Sequence, residues 1–185
     1  MSKHSVLDEL AKSGFEANEL KQSIARSVVW SRDASHFQIQ PQSTLRAKSI
    51  DDISKILAAA NETGTPVTFR SGGSSLSGQT LGSGLVVDTR SGFQKILEIT
   101  DNQVTAQPGV TLSRLNGHLL PKGKKVGPDP ASLVASTLGG AVSNNSSGMT
   151  CGVFYNSYAT ILGAKIVFPD GQILDTSAVD ADQLV

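Results

Sequence analysis

Hydrophobic positions change their spacing several times along the chain, and each change marks an expected element. Val6, Leu7, Leu10 and Ala11 fall on one helical face, with Gly14 placed to end that helix. Leu20, Ile24 and Val28 continue a helical spacing, and Ser31 to Ser35 read as a turn. Residues 1–40 are therefore expected to form an N-terminal helical arm. After Pro41 the pattern sharpens. Leu45 to Lys48 read as a strand, and Ser49 stands where an N-cap belongs, with Asp52 three residues on as its partner. Ile53, Ile56, Leu57 and Ala60 mark one buried helix face, which Gly64 and Pro66 close before a strand at Val67–Phe69. Strand, helix and strand in that order predict parallel strands joined by a crossover helix.

Leu85 to Asp88 form a short apolar run typical of a buried strand. Lys95–Ile99 and Val104–Ala106, separated by a polar turn, predict a hairpin. Thr111 is placed to cap a helix carrying Leu112, Leu115 and Leu119 on one side, stopped by Pro121 and Gly123. Further on, Ile161–Phe168 is expected to be a strand, Pro169–Gly171 a turn and Gln172–Leu174 the strand's partner. No repeat is present.

Composition narrows the function classes. The 16 basic and 16 acidic residues cancel, which argues against electrostatic capture by nucleic acid or an anionic lipid surface. No apolar run approaches the roughly 20 residues that span a bilayer. The polar start does not resemble a secretory signal, and Cys151 is the one cysteine, so no disulfide or cysteine-based metal site can form within the chain. A reducing cytoplasm is the expected location, and no metal site is expected.

Six of the 18 glycines gather with serine and asparagine in two tracts. The first, Arg70-Ser71-Gly72-Gly73-Ser74-Ser75-Leu76-Ser77-Gly78-Gln79, leaves directly from a strand. Glycine lets backbone approach a ligand closely, and successive N–H groups can converge on an anion such as a diphosphate. It is neither a P-loop nor a Rossmann fingerprint, since no Gly-Lys-Ser/Thr and no helix-opening G-x-G-x-x-G is present. A structural turn at a sheet corner would also account for it. The second tract runs from Gly139 to Gly148, and between Gly127 and Gly163 the only charged residue is Asp129. A segment packed against a large, polar, partly aromatic group would have that character; a self-satisfied Ω-loop is the alternative.

Together these motifs resemble, in order and in spacing, the vanillyl-alcohol-oxidase-type (PCMH) flavoprotein superfamily. Pro66 to Gln79 is similar to its first FAD loop. Gln107-Pro108-Gly109-Val110, Gly127-Pro128-Asp129-Pro130-Ala131-Ser132, Gly139-Gly140 and Asn144-Asn145-Ser146-Ser147-Gly148 follow in register. The likeness covers about residues 30–176 and is nearest to the D-lactate dehydrogenase, glycolate oxidase and D-2-hydroxyglutarate dehydrogenase branch. Gly148–Gly152 and Asn156–Thr160 resemble its large bacterial members fused to an iron–sulfur module. The resemblance implies an α+β PCMH-type domain over residues 41–185. It would consist of two small α/β lobes, the first at about 41–126 and the second, incomplete, from about 137 to 185.

It also implies FAD lying between the lobes. Ser71, Gly72, Gly73, Ser74 and Ser75 would hold the diphosphate through backbone N–H groups, with Arg70, Leu76 and Gln79 completing the loop. Pro128, Asp129, Ser132, Ser136, Thr137, Gly139 and Gly140 would line the flavin and ribityl side. Asn144, Asn145, Ser147 and Gly148 would hold the remaining phosphate and ribose. Arg70 has a second reading, a structural ion pair. Relatives with covalent flavin carry histidine at the position of Ser74 or cysteine near that of Ser132, so dissociable FAD is expected. Cys151 reads as a packing residue and His118 as a surface residue; His4 and His36 also lie outside both loops.

The implied reaction is oxidation of a small D-2-hydroxy acid to a 2-oxo acid with hydride transfer to flavin. The electron acceptor is left unassigned, an iron–sulfur cluster would belong to a further C-terminal region, and peripheral attachment to the inner membrane stays open. Sugar or alcohol oxidases and nucleotide-sugar reductases of the same fold, or a non-catalytic nucleotide-binding module, are the alternatives. No His/Arg/Glu constellation for the hydroxy acid occurs in the chain. It is expected to be part of a longer enzyme, inactive by itself and holding FAD weakly or not at all.

Overall fold

The computed structural model describes residues 5–177. Three short helices open the chain: α1 (Val6–Lys12), α2 (Ala17–Leu20) and α3 (Ile24–Trp30). At α1, the Ser5 hydroxyl accepts from the Asp8 N–H while the Asp8 carboxylate accepts from the Ser5 N–H, a reciprocal cap. Leu20, Ile24 and Val28 do not share one helix. The backbone breaks at residues 21–23, and Ser23 caps α3 anew. The break has a physical cause in the Gln22 side chain, which accepts from the Thr44 N–H at 2.8 Å and donates to the Thr44 carbonyl at 3.3 Å. Gln22 thereby covers the open edge of a strand. Ile24, freed from the expected buried stripe, is 86% exposed.

That edge strand is β1 (Ser43–Arg46), which lies with β2 (Val67–Arg70) and β3 (Leu85–Asp88) in a parallel sheet of order β1-β3-β2. β1 stops two residues before the expected end because the Lys48 N–H turns to the Asp52 carboxylate at 2.7 Å and joins the helix cap. β3 is central and buried along its whole length, as a parallel strand covered on both faces must be. Between β1 and β2 runs α4 (Ile50–Thr63), with the Ser49–Asp52 capping box in place and Gly64 ending it. Ile56, Ala59 and Ala60 face the core; Ala59 takes the place expected for Leu57, which is half-buried. Val6 and Leu10 of α1 join the same apolar cluster, together with Leu45, Leu85 and Val87 of the sheet.

β2 and β3 are adjacent and parallel, yet no helix connects them. The crossover is the first Gly/Ser tract itself, running from Ser71 back to Gly84.

A second apolar cluster gathers β4 (Ile96–Ile99), β5 (Val104–Ala106), α5 (Leu112–Leu119) and α6 (Leu138–Ser143). The hairpin is antiparallel with an irregularity between Ile96 and Glu98. Leu112, Leu115 and Leu119 are all buried, and α5 passes into a 3-10 turn that ends at Gly123. α6 lies where an irregular loop was expected. Thr137 caps it, accepting from the Gly140 N–H, and Ala141 anchors it in the cluster. The two clusters part between Phe93 and Ile96.

The chain ends its described course with α7 (Ser157–Thr160) and a hairpin of β6 (Lys165–Val167) and β7 (Ile173–Asp175). β6 is shorter than the expected 161–168 strand because α7 occupies the preceding residues and Ile161 serves as its cap. The hairpin turn rests on α4, where the Ser54 hydroxyl donates to the Gly171 carbonyl. His4 and residues 178–185 of the expected second lobe lie outside the described residues. Among the described residues no helix is long and apolar enough to cross a membrane.

Candidate functional site

The Gly/Ser loop leaves β2 at the carboxyl end of the sheet. Among the described residues, none accepts a hydrogen bond from the backbone N–H groups of Gly72 through Leu76. Residues 72–75 are half-buried, and backbone N–H groups that are buried stay costly unless water or a ligand satisfies them. The rest of the loop is held firmly. The Ser75 hydroxyl accepts from the N–H groups of Ser77 and Gln79 and donates to the Gln79 side chain. Arg70 donates to the Arg32 carbonyl at 2.7 Å and to the Thr80 hydroxyl at 3.2 Å. Among the described residues it forms no ion pair; it clamps the loop to the arm, and burial pulls its pKa below the usual arginine value against the opposing charges of Asp33 and Asp88.

The second tract meets the first directly. A Cβ on Gly72 would lie 2.1 Å from the Ala135 carbonyl oxygen, so only glycine permits this approach. The Thr137 hydroxyl donates to Ser71 Oγ at 2.8 Å. Ser136 Oγ lies 3.3 Å from Ser74 Oγ and 2.7 Å from Ser132 Oγ. Ser74 and Ser132, one in each tract, therefore converge on the Ser136 hydroxyl. That convergence was not visible in the sequence.

The other expected residues fall into separate groups. Asp129 Oδ2 accepts from the Thr150 hydroxyl and from the Thr150 N–H at 3.2 Å, with Lys125 Nζ at 3.6 Å. Those bonds, the Thr150 hydroxyl foremost, hold its carboxyl below the usual range despite burial. Asp129 Oδ1 is buried, with no hydrogen-bond partner in the geometry of the described residues, and packs against Gly148, where a Cβ would lie 2.0 Å away. Asn145 is committed, its side-chain carbonyl accepting from the Tyr158 N–H. Gly139 and Gly140 donate to Pro108 and Thr137. Pro128 is buried, whereas Leu76, Gln79, Asn144 and Ser147 are exposed. The uncharged stretch thus divides: residues 132–142 pack against the first loop and the second core, while Met149 and Phe154 are 98% and 80% exposed. Cys151 is buried. His118 is exposed on α5, its ring nitrogen meeting the Arg114 carbonyl, and His36 packs on Phe37.

Sequence reading missed one feature. A cavity of about 370 Å3 opens at the carboxyl ends of the three strands, bounded by Ser71 and Gly72 on one side and by Trp30 of α3 on another. Arg46, Arg70 and Asp88, each the last residue of its strand, share one register row and all line it. A charged residue closing each apolar strand was the available signal, but strand order is needed to bring the three together.

Comparison with known proteins agrees with this geometry. A family model described as an FAD binding domain matches residues 41–177. The chain is 32% identical over 178 residues to a D-2-hydroxyglutarate dehydrogenase of Pantoea ananatis, covering 94% of this chain and 17% of that protein. It is 32% identical over 159 residues to the glycolate oxidase subunit GlcD of Bacillus subtilis, covering 83% of this chain and 34% of that one. A solved alkyldihydroxyacetonephosphate synthase superposes with a TM-score of 0.79 at 18% identity, over 99% of this chain and 36% of the synthase, a likeness of fold. The chain thus spans well under half of each relative. The family match over residues 41–177 decides the membership: the chain belongs to the PCMH-type FAD-binding domain family.

Proposed function

We propose that the chain binds FAD without a covalent bond and serves an enzyme that oxidises a D-2-hydroxy acid to the 2-oxo acid. The observation that carries this reading is the run of unpaired backbone N–H groups from Gly72 to Leu76, set against the hydroxyls of Ser71, Ser74, Ser132, Ser136 and Thr137. Backbone donors of this kind suit a diphosphate, and neutral hydroxyls suit ribityl and ring-edge groups. The residues present fit the cofactor: the backbone N–H groups of Gly72 to Leu76 have no acceptor among the described residues, and neutral hydroxyls lie beside them. Bound FAD supplies the hydride acceptor.

In this reading Gly72 to Leu76 donate to the diphosphate while Arg70, tied to Arg32 and Thr80, keeps the loop from collapsing into the site. Thr137 fixes the spacing between the loops by donating to Ser71. The side chains of Asn144 and Ser147, exposed and without hydrogen-bond partners among the described residues, are free to turn toward phosphate or ribose. Asp129 holds the Gly148–Thr150 turn through its bonds to Thr150. Serine at positions 74 and 132 supports dissociable flavin, because a hydroxyl at ordinary pKa is a poor nucleophile.

The hydroxy-acid class is supported by relatives named as D-2-hydroxyglutarate dehydrogenase and glycolate oxidase subunit. The His118 ring meets the Arg114 carbonyl and the His36 ring packs on Phe37, and the chain alone is expected to turn over no hydroxy acid. One cysteine cannot ligate an iron–sulfur cluster, so onward electron transfer would need groups from elsewhere in the enzyme. The test is dye reduction by the full-length protein with D-2-hydroxyglutarate, D-lactate and glycolate, set against sugar alcohols and nucleotide sugars. Turnover confined to the 2-hydroxy acids is expected; turnover confined to the second group would sink the assignment.

A further inference from the structure

The first Gly/Ser loop is held by a part of the arm that lies outside the residues matched by the family model. Residues 31–39 double back on themselves. The Ile39 N–H donates to the Ser31 carbonyl at 3.0 Å, and Arg32 pairs with Gln38 through backbone and side chain. At the tip, Asp33 Oδ1 accepts from the Ser35 N–H at 2.9 Å, and Ser35 Oγ accepts from the Phe37 N–H at 3.1 Å. Short polar side chains used in this way stand in for backbone acceptors and set the shape of a turn locally.

That turn is fastened to the loop. The Ala34 N–H donates to the Gly73 carbonyl at 3.0 Å, and the Thr80 hydroxyl donates to Asp33 Oδ2 at 3.0 Å. Arg70 completes the network through the Arg32 carbonyl and Thr80 Oγ1. The Phe37 ring lies beside Gly78, where a Cβ would stand 3.0 Å from it. Asp33 is the node, with one carboxylate oxygen serving the arm and the other the loop. Burial opposes its charge, yet the bonds from Ser35 and Thr80 hold its carboxyl below the usual range, so it is ionised at neutral pH and only accepts.

The Ala34 bond also sets a direction. A trans peptide places its C=O and the following N–H on opposite sides. Gly73, at φ +63°, turns its carbonyl to Ala34, and the Ser74 N–H is thereby directed away from the arm. Donors fixed in direction before a ligand arrives lose less freedom when it binds.

We propose that Asp33 is a positioning residue for the flavin loop: through Thr80 and the Ala34 N–H it fixes the Gly73–Ser74 peptide, so that the loop's N–H groups are aimed before the cofactor arrives. The proposal rests on the reading of Gly72 to Leu76 as the diphosphate cradle. Asp33 acts only through its neighbours and is not a catalytic group.

The test uses the full-length protein stripped of flavin. FAD affinity is read from flavin emission at a temperature where the melting curve of each apo variant shows it folded. Asp33→Ala and Thr80→Val, the second deleting only a hydroxyl at constant shape, are each expected to weaken FAD binding about tenfold. Because both interrupt one path, the double variant should bind no more than about twofold more weakly than the weaker single variant. Asp33→Asn keeps an oxygen for Ser35 and can donate to Thr80, so it should restore most of the affinity lost in Asp33→Ala. A purely structural role would lower the apo melting temperature and leave the affinity of the folded protein unmoved, and that result overturns the proposal. Losses that add in full in the double variant, or Asp33→Asn binding as weakly as Asp33→Ala, overturn it too. A wild-type protein that takes up no FAD would remove the flavin reading itself, so the two failures are distinguishable.

Discussion

Gly72 has no room for a side chain, because a Cβ would strike the Ala135 carbonyl at the point where the two loops meet. Gly72→Ala must push the loops apart, and FAD affinity of the full-length protein is expected to fall at least about tenfold, or roughly 1.4 kcal/mol. Unchanged affinity in an equilibrium titration would show that this contact does not shape the site. At Ser74 and Ser132 no covalent link is expected, so acid precipitation of the holoenzyme should leave all flavin in the supernatant; flavin retained in the pellet would refute this. Asp129 makes a claim about pH. Its pKa is lower in the folded chain, through the Thr150 hydroxyl first and then the Thr150 N–H and Lys125. Its contribution to stability is therefore complete above the unfolded value near 3.9 and lost as pH falls through the folded value. Asp129→Asn should flatten that acid limb of the melting temperature, and an unaltered limb would contradict the assignment.

At the scale of elements, the second core depends on α5. Leu115→Ala, at a fully buried position, is expected to cost about 2–5 kcal/mol in chemical denaturation, whereas the same change at exposed Leu120 should cost little. α5, α4, the β4–β5 hairpin and β3 were legible from the sequence because capping, periodicity and turn chemistry are local signals. Ser49, Asp52 and Gly64 all do at α4 what their residue types predict. The misses share a different cause, long-range pairing. Gln22 breaks the arm's helix to serve Thr44, Lys48 leaves its strand to serve Asp52, and Thr137 with Ala141 draws a glycine-rich stretch into α6. Strand order was also hidden: local spacing shows that β1 and β2 flank a helix but not that β3 enters between them. The cavity arginines were missed for the same reason.

For the whole molecule, the sheet and the second core matter because they bring two loops, far apart in sequence, to one place. The backbone of Gly72 to Leu76 is left with donors and no acceptor among the described residues there. Its contact with residues 132–137 would have been wasted on a structural turn, which would normally satisfy its own N–H groups. The most direct measurement is amide hydrogen exchange of the full-length protein with and without saturating FAD, resolved to this segment. Exchange at residues 72–76 is expected to slow strongly when FAD is present, while the exposed turn at residues 100–103 stays unchanged. Equal exchange at residues 72–76 in both states, with flavin demonstrably bound, would contradict the account.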